Sequence, residues 1–424
     1  MKEDFLQYIW RFSLFSSNEL LTTNNERISI IKSGQLNTNS GPDFLNAQLI
    51  IDNQKWIGNI EIHQKSSDWY VHHHEKDINY DAVILHVVYE EDVTVFMKNN
   101  QPIPTLVLKD RISETLLDSY HQLLNNPKAW IPCASQISTV DGFVMNSWLE
   151  RLFIERLEEK SLLIKEMLVE SKNDYEVVLF QLLAKNFGLK VNADAFLRLA
   201  KTIDFSIFRK EWFDEQRLSA LLFGIAGFLE EDIEELYYKE LKSEYEYLKK
   251  KYQLKSLGKN DFQFFRMRPN NFPTIRLAQL SALYVKHQNL FSKLIEVTSL
   301  SQFYTIFDEV EIHEFWNSHY TFEKSSKKTS KRFSKSFINL LIINTIIPLK
   351  FTYEKEKRGN INTEDLAYLL EVPAEKNNII NKFNEYKVKA KNALETQALL
   401  QLKNKYCDSK NCLQCSVGDH LLKT

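Results

Sequence analysis

Apolar and polar positions follow two different rhythms along this chain. Short stretches of period two dominate the first third, and from about Asp141 the 3.6-residue period of helices takes over. A first helix is predicted over residues 2–15, with Phe5, Tyr8, Ile9 and Phe12 on one stripe. Strands are predicted at 28–31, 44–51, 56–63, 82–89, 93–97 and 105–108. The turn residues Asp52-Asn53-Gln54-Lys55 join two of them into a hairpin. Along 56–63, Trp56, Gly58, Ile60 and Ile62 face one way and Ile57, Asn59, Glu61 and His63 the other. The run AVILHVVY at 82–89 is apolar throughout, as a strand covered on both faces would be. Residues 67–76 read as a short helix or an ordered loop.

Amphipathic helices are predicted at 143–170, 175–187, 193–202, 216–228, 232–253, 274–296 and 335–347, with Pro269, Pro273 and Pro348 as punctuation. Further helices precede a C-terminal cysteine cluster. The fold class is therefore α+β and rich in helix: an α/β domain over 1–125, a helical domain over 126–350, and C-terminal helices with the cysteines over 351–424.

Composition narrows the function classes only slightly. The 424 residues carry 54 Lys+Arg against 56 Asp+Glu, a net charge of −2, so nucleic acid could be bound only through a local basic patch. No apolar run reads as long enough to span a bilayer, and the acidic start Met1-Lys2-Glu3-Asp4 lacks a signal layout, so a cytoplasmic location is expected. Only 10 Gly and 9 Pro are present, in keeping with long helices. Six basic residues interleave with Ser and Thr over 324–335 (KSSKKTSKRFSK). The segment reads as a solvated loop leading into the next helix, with a phosphate-contacting patch as the alternative.

Candidate chemistry concentrates between Gly41 and His86. Asp43 follows Pro42 at the mouth of one strand, and Glu61 and His63 share a face of its hairpin partner, which Lys65 continues. With the turn centred on Asn53, Asp43 is expected beside His63 and one pair away from Glu61. An oxygen-rich pair of this kind suits Mg²⁺ or Mn²⁺, which would polarise a phosphate and activate water, with His63 or Lys65 assisting. Glu19 is a weaker candidate for a further acidic ligand. His63, His72, His73, His74 and His86 are half of the 10 histidines. A second reading is thus a His/carboxylate site for Zn²⁺ or Mn²⁺ built from His63, His72 or His74, and Glu61. For His86 a satisfied core histidine is the expected role, and for Asp68, Asp77 and Asp81 capping or turning the chain. A plain surface hairpin is the bland alternative for the whole set.

Three of the four cysteines form the run Cys407-x4-Cys412-x2-Cys415, and Cys133 stands apart in Trp130-Ile131-Pro132-Cys133. Four thiolates complete a Zn²⁺ site or an Fe–S cluster, and a close trio with a remote fourth is an Fe–S spacing. His420 could replace Cys133 as the fourth ligand. Unrelated buried thiols are the alternative, and a disulfide framework is not expected without a secretory signal.

The segments GPDFLNA (41–47), WIGNIEIHQKSSDW (56–69), YDAVILHVV (80–88), PTL (104–106), IPC (131–133), INTIIPL (343–349), AEKN (374–377) and YCDSKNCLQCSVG (406–418) are similar to an uncharacterised bacterial family, domain of unknown function 2851. That resemblance implies no activity. The order Pro-Asp, spacer, Glu-x-basic also resembles the PD-(D/E)xK nuclease superfamily, with His63 where its lysine stands. Some of those nucleases close their core with an iron–sulfur staple of one distant and three C-terminal cysteines. There the distant cysteine precedes the motif, whereas Cys133 follows it. The resemblance implies a metal-dependent nuclease with Asp43 and Glu61 on the metal and Cys133, Cys407, Cys412 and Cys415 on the cluster. Its rivals are a non-catalytic nucleic-acid-binding or scaffold protein and a His/carboxylate hydrolase of a small substrate.

Overall fold

The computed structural model describes residues 2–124, 129–359 and 368–424. The domain boundary expected near residue 125 lies outside the described residues. The architecture is α+β, a curled mixed sheet followed by many helices. Two compact units divide the chain: Met1–Trp148 with Glu385–Val388 and Leu402–Thr424, and Leu149–Asn384 with Lys389–Gln401.

The first unit is built on six strands: β1 (Ile28–Lys32), β2 (Gln35–Leu36), β3 (Phe44–Ile51), β4 (Gln54–Lys65), β5 (Val83–Glu90) and β6 (Thr105–Val107). Their order is β1-β3-β4-β5-β6, with β2 pairing the other end of β3. β3 and β4 are antiparallel, while β4–β5 and β5–β6 are parallel. The hairpin closes through Asp52 (φ 46°) and Asn53 (φ 67°), residue types that tolerate the left-handed backbone of a two-residue turn. Val83 to Val88 are all buried, as expected of a strand covered on both faces. Helix α1 (Glu3–Arg11) packs on β4 and buries Phe5, Leu6, Tyr8, Ile9 and Trp10; Phe12, predicted on the stripe, lies beyond its end and is exposed.

The strand predicted at 93–97 is absent, and only an isolated bridge joins Phe96 to Pro102. Its would-be partner contains Pro102 and Pro104, which have no N–H to give a ladder. Leu45 and Asn46 of β3 oppose the single residue Asn59 of β4, a bulge in which Asn46 takes φ 57° and its N–H meets Asn59 Oδ1 at 3.3 Å. Gly58, just before it, allows β4 to pass β5, since a Cβ there would lie 2.6 Å from the Ala82 carbonyl oxygen.

The second unit is helical. Its helices include Tyr175–Phe187, Leu189–Thr202, Glu215–Ile225 and Leu236–Tyr252, close to their predicted places, whereas the one helix predicted at 274–296 is two, Pro273–Lys286 and Leu290–Glu296, parted where Asn289 takes φ 54°. Asp174, Asp204 and Asp214 cap three helices by accepting backbone N–H bonds. Pro348 does not end its helix. A π-helical turn at Ile342–Ile346 precedes it, and helix continues to Arg358. The run Lys335–Lys357 is long and apolar enough to cross a membrane by length and composition, which corrects the expectation that no stretch is. Within this protein 72% of its most apolar window is buried, as in a core helix.

Glu176, on Tyr175–Phe187, is 7% exposed, and its Oε2 accepts the Phe291 N–H at 2.9 Å. Burial raises its pKa to about 7. The folded state therefore holds a proton that the unfolded chain releases near pH 4.5, so this group's contribution is complete below that pH and fades as pH rises through 7. Glu176→Gln is expected to remove that slope and to gain about 1–2 kcal/mol over the parent at pH 8. Paired urea titrations from pH 4.5 to 8 measure the difference; parallel profiles would refute it.

Candidate metal centre

The bulge sets the register of the site. With Phe44 opposite Ile60, Asp43 falls opposite Glu61 and not beside His63 as a bulge-free hairpin predicts. Asp43 and Glu61 interlock: the Asp43 N–H donates to Glu61 Oε2 (3.0 Å), and the Ile62 N–H donates to Asp43 Oδ2 (3.1 Å). From α1, Gln7 Nε2 donates to Asp43 Oδ1 at 2.8 Å. The same helix brings a third carboxyl, Glu3, close enough for its charge to be coupled to those of Asp43, His72 and His74. Glu19, the expected extra acid, is exposed in a left-handed turn, and its carbonyl is held by Arg111.

Histidines close the other side. His63 is fully buried; its Nδ1 meets His86 Nε2 at 2.8 Å and its Nε2 meets His72 Nδ1 at 3.1 Å. Glu61 Oε1 lies 3.5 Å from His63 Nε2 and 3.2 Å from His74 Nε2. His72 and His74 come from the segment after α2 (Asp68–Val71), where His73 takes φ 60° and turns its neighbours. Trp69 packs edge-on to His74 and Tyr80, and Tyr80 stacks on His74 with centroids 3.8 Å apart. Asp68 accepts the Lys65 N–H and Asp77 caps a short helical turn, the structural roles expected of them. Lys65 itself stands exposed at the end of β4.

Burial sets the electrostatics. It is the main cause that raises Asp43 to about 7, with repulsion from Glu61 next, and it raises Glu61 to about 8, with Glu3 adding to the effect. Burial likewise pushes His63 down to about 2 and His86 to about 3, and lowers His74. The imidazoles are thus neutral, with lone pairs available, while the carboxyls resist ionising unless a cation joins them. His74 Nε2 is buried and makes no hydrogen bond despite its 3.2 Å approach to Glu61, the mark of a donor atom aimed at something else.

The donor set fits a divalent metal. The ligand atoms of His63, His72 and His74 all lie within 4.8 Å of one another. Around a tetrahedral ion with metal–nitrogen bonds of about 2.0–2.1 Å, donors sit roughly 3.3–3.4 Å apart. His63 Nε2 and His72 Nδ1, 3.1 Å apart, come near that value, and Glu61 Oε1 lies 3.2 Å from His74 Nε2 and 3.5 Å from His63 Nε2, although it is not within 4.8 Å of all three histidines. His86 holds the far nitrogen of His63 and so orients its ring. His72 is exposed and Glu3 half-buried, so the site opens to solvent on their side. Beside it, Gln7 also lines a cleft of about 520 Å³ with Lys2, Arg11, Tyr120 and Lys410.

The four cysteines converge in the same unit. All are buried and line one small internal cavity with Pro132, Leu402 and Tyr406. Burial, and then the neighbouring sulfurs, raise Cys133 and Cys412 to about 12 and push Cys407 higher. Burial raises Cys415 as well, and the backbone N–H groups of Gly418 and Val417 that donate to its sulfur only partly offset this. Gly418 permits this approach, since a Cβ there would lie 2.1 Å from the Cys412 carbonyl oxygen. Four buried thiols lining one pocket have the donor chemistry of a Zn²⁺ site or an Fe–S cluster, but no three of their sulfurs lie within 4.8 Å of one another, wider than a closed tetrahedral zinc site.

A family model described as a protein of unknown function, DUF2851, matches residues 3–378. The chain belongs to the DUF2851 family. No curated protein and no solved structure matches it. In this DUF2851 chain the family match spans the whole acid–histidine cluster and Cys133, and stops before the three C-terminal cysteines.

Proposed function

We propose that the chain is a metal-dependent phosphodiesterase acting on nucleic acid. The observation that carries this reading is the interlock of Asp43 and Glu61 on neighbouring strands, with Glu3 of α1 beside them. The order of parts supports it: an acid-bearing helix, a hairpin with Asp at one strand mouth and Glu-x-His on the next, and a crossover to a parallel strand. That order is similar to the PD-(D/E)xK nuclease core. A Mg²⁺ or Mn²⁺ ion held there would polarise a phosphate and lower the pKa of an attacking water. Asp43 and Glu61 supply the charge that holds the ion, and Gln7 and the Ile62 N–H fix the Asp43 carboxyl. Lys2, Arg11 and Lys410 of the adjoining cleft offer cationic contacts to a sugar–phosphate backbone. His63 is buried and neutral, so it cannot supply the motif lysine's charge; it offers a lone pair.

The test is cleavage of single- and double-stranded DNA and RNA by the purified protein with Mg²⁺, Mn²⁺ or Zn²⁺. Metal-dependent cutting that vanishes in Asp43→Ala is expected. No cutting with any metal, together with unchanged metal affinity in Asp43→Ala and Glu61→Ala, would leave a non-catalytic binding or scaffold protein.

The three clustered imidazoles favour a second reading, a transition-metal hydrolase of a small substrate. It expects His72→Ala to abolish turnover of small esters, Lys65→Ala to be silent, and oligonucleotides to stay intact.

We infer as well that Cys133, Cys407, Cys412 and Cys415 hold a structural Fe–S cluster or Zn²⁺. The C-x4-C-x2-C spacing supports the cluster, and free thiols of this kind fit a reducing compartment such as the cytoplasm.

A further inference from the structure

Within the helical unit a second cleft, of about 630 Å³, lies between the loop at 268–271, the helix Pro273–Lys286 and the segment 330–340. Its lining includes Arg268, Arg276, Lys331 and Arg332 and contains no Asp or Glu. Two of these cations are buried. Arg276 is 6% exposed, and among the described residues its guanidinium reaches neutral partners alone, Gln279 Oε1 at 2.7 Å and Asn271 Oδ1 at 2.6 Å. Its Nε is buried without a partner, and its plane lies 3.5 Å over the Phe337 ring. Lys331 is 3% exposed; its ammonium donates to the carbonyl and hydroxyl of Thr329 and sits 4.1 Å over the Tyr320 ring.

Burying a cation without a counter-charge costs several kcal/mol unless an anion arrives from outside. Desolvation with no opposing charge is also what lowers the Arg276 pKa to about 10. A planar guanidinium with an unused N–H matches the oxygens of a phosphate, and Ser330, Ser334 and Ser336 place hydroxyls on the same wall. The cleft is far larger than a lone oxyanion needs, which leaves room for the group that the phosphate esterifies.

We propose that this cleft binds a phosphate ester, with Arg276 and Lys331 as the buried anion-holding pair and Arg268 and Arg332 at its rim. Exposed Arg332 pairs with Glu311, so its charge is partly spoken for, whereas the buried pair has no such partner among the described residues. The proposal stands apart from the hydrolase reading, because its residues lie in the other unit and its ligand is bound without metal.

The experiment uses the full chain in metal chelator. Inorganic phosphate, a nucleoside monophosphate and a short single-stranded oligonucleotide are titrated at constant ionic strength, read by calorimetry and thermal shift. Saturable binding of at least one, absent with matched chloride, is expected. The tightest binder identifies the source: free phosphate, a mononucleotide or a strand. Arg276→Gln should weaken binding roughly tenfold or more, the worth of one charge-assisted hydrogen bond, without lowering the melting temperature of the unliganded protein. Should that variant fail to fold, the exposed rim pair Arg268→Ala with Arg332→Ala gives the same readout with a smaller loss. Binding equal to that in chloride, or binding untouched in every variant that folds, would overturn the proposal.

Discussion

Asp43→Asn is expected to lower metal-dependent hydrolysis by about 10³-fold or more, the several kcal/mol that a bound cation contributes to the transition state, while leaving the melting temperature level or raised. The geometry explains both halves. In the parent, Asp43 accepts from Gln7 and from the Ile62 N–H. An Asn in the same rotamer accepts from Ile62 through its oxygen, and a flip of the Gln7 amide lets its nitrogen donate in return. No hydrogen bond is lost, and the repulsion between Asp43 and Glu61 disappears. What goes is the charge that holds the cation. Isothermal titration with Mn²⁺, a cleavage assay and a thermal melt on one preparation separate the outcomes. Lost metal binding and lost cleavage in a stable protein support the hydrolase. Cleavage at the parent rate would refute it, and destabilisation with intact metal binding would make Asp43 a packing residue.

Much of the first unit can be read from residue pattern because local rules decide it. The Asp-Asn turn, the alternation along β4 and the apolar run of β5 each follow from neighbouring residues. The pairing of Asp43 with Glu61 does not, since one inserted residue shifts the whole register and the Leu45-Asn46 bulge has no compositional mark. Glu3 was beyond reach for a different cause: its role depends on α1 crossing β4, a long-range contact. A hint was nonetheless present. Glu3 and Gln7 are an i, i+4 polar pair beside the apolar stripe of α1, and it is these two that address Asp43. In the basic segment at 324–335, most side chains are solvated as expected of a loop, but Lys331 and Phe333 fold inward. Charge runs do not reveal which member turns in, because aromatic partners such as Tyr320 are distant along the chain.

Cys407→Ser should release the metal from the four-cysteine centre and destabilise the first unit by about 3 kcal/mol or more, a fraction of the apparent 10–16 kcal/mol with which structural zinc holds small domains. A metal held there would fasten distant parts of the chain in addition to the packing of Ser416–Lys423, which buries Val417, Leu421 and Leu422 and meets the helix Glu114–Leu124. Cys133 follows the α/β part, the other three lie near the C-terminus, and the nearby polar ties are modest: Tyr8 Oη donates to Asp419 at 2.9 Å, and Lys423 sits 4.1 Å over the Phe12 ring. Iron, sulfide and zinc content of anaerobically purified protein identify the occupant, with iron and sulfide expected from the spacing and zinc as the alternative. Gly418→Ala is the companion variant. It keeps all four thiols but drives a methyl against the Cys412 carbonyl, so it should also lose metal. A metal-free parent whose stability is unchanged by Cys407→Ser within about 0.5 kcal/mol would reduce the four sulfurs to ordinary buried thiols. A parent that carries metal and a Cys407→Ser protein that unfolds early would show that these residues close the unit through their shared ion, since a buried Ser in place of Cys costs far less where no metal is held.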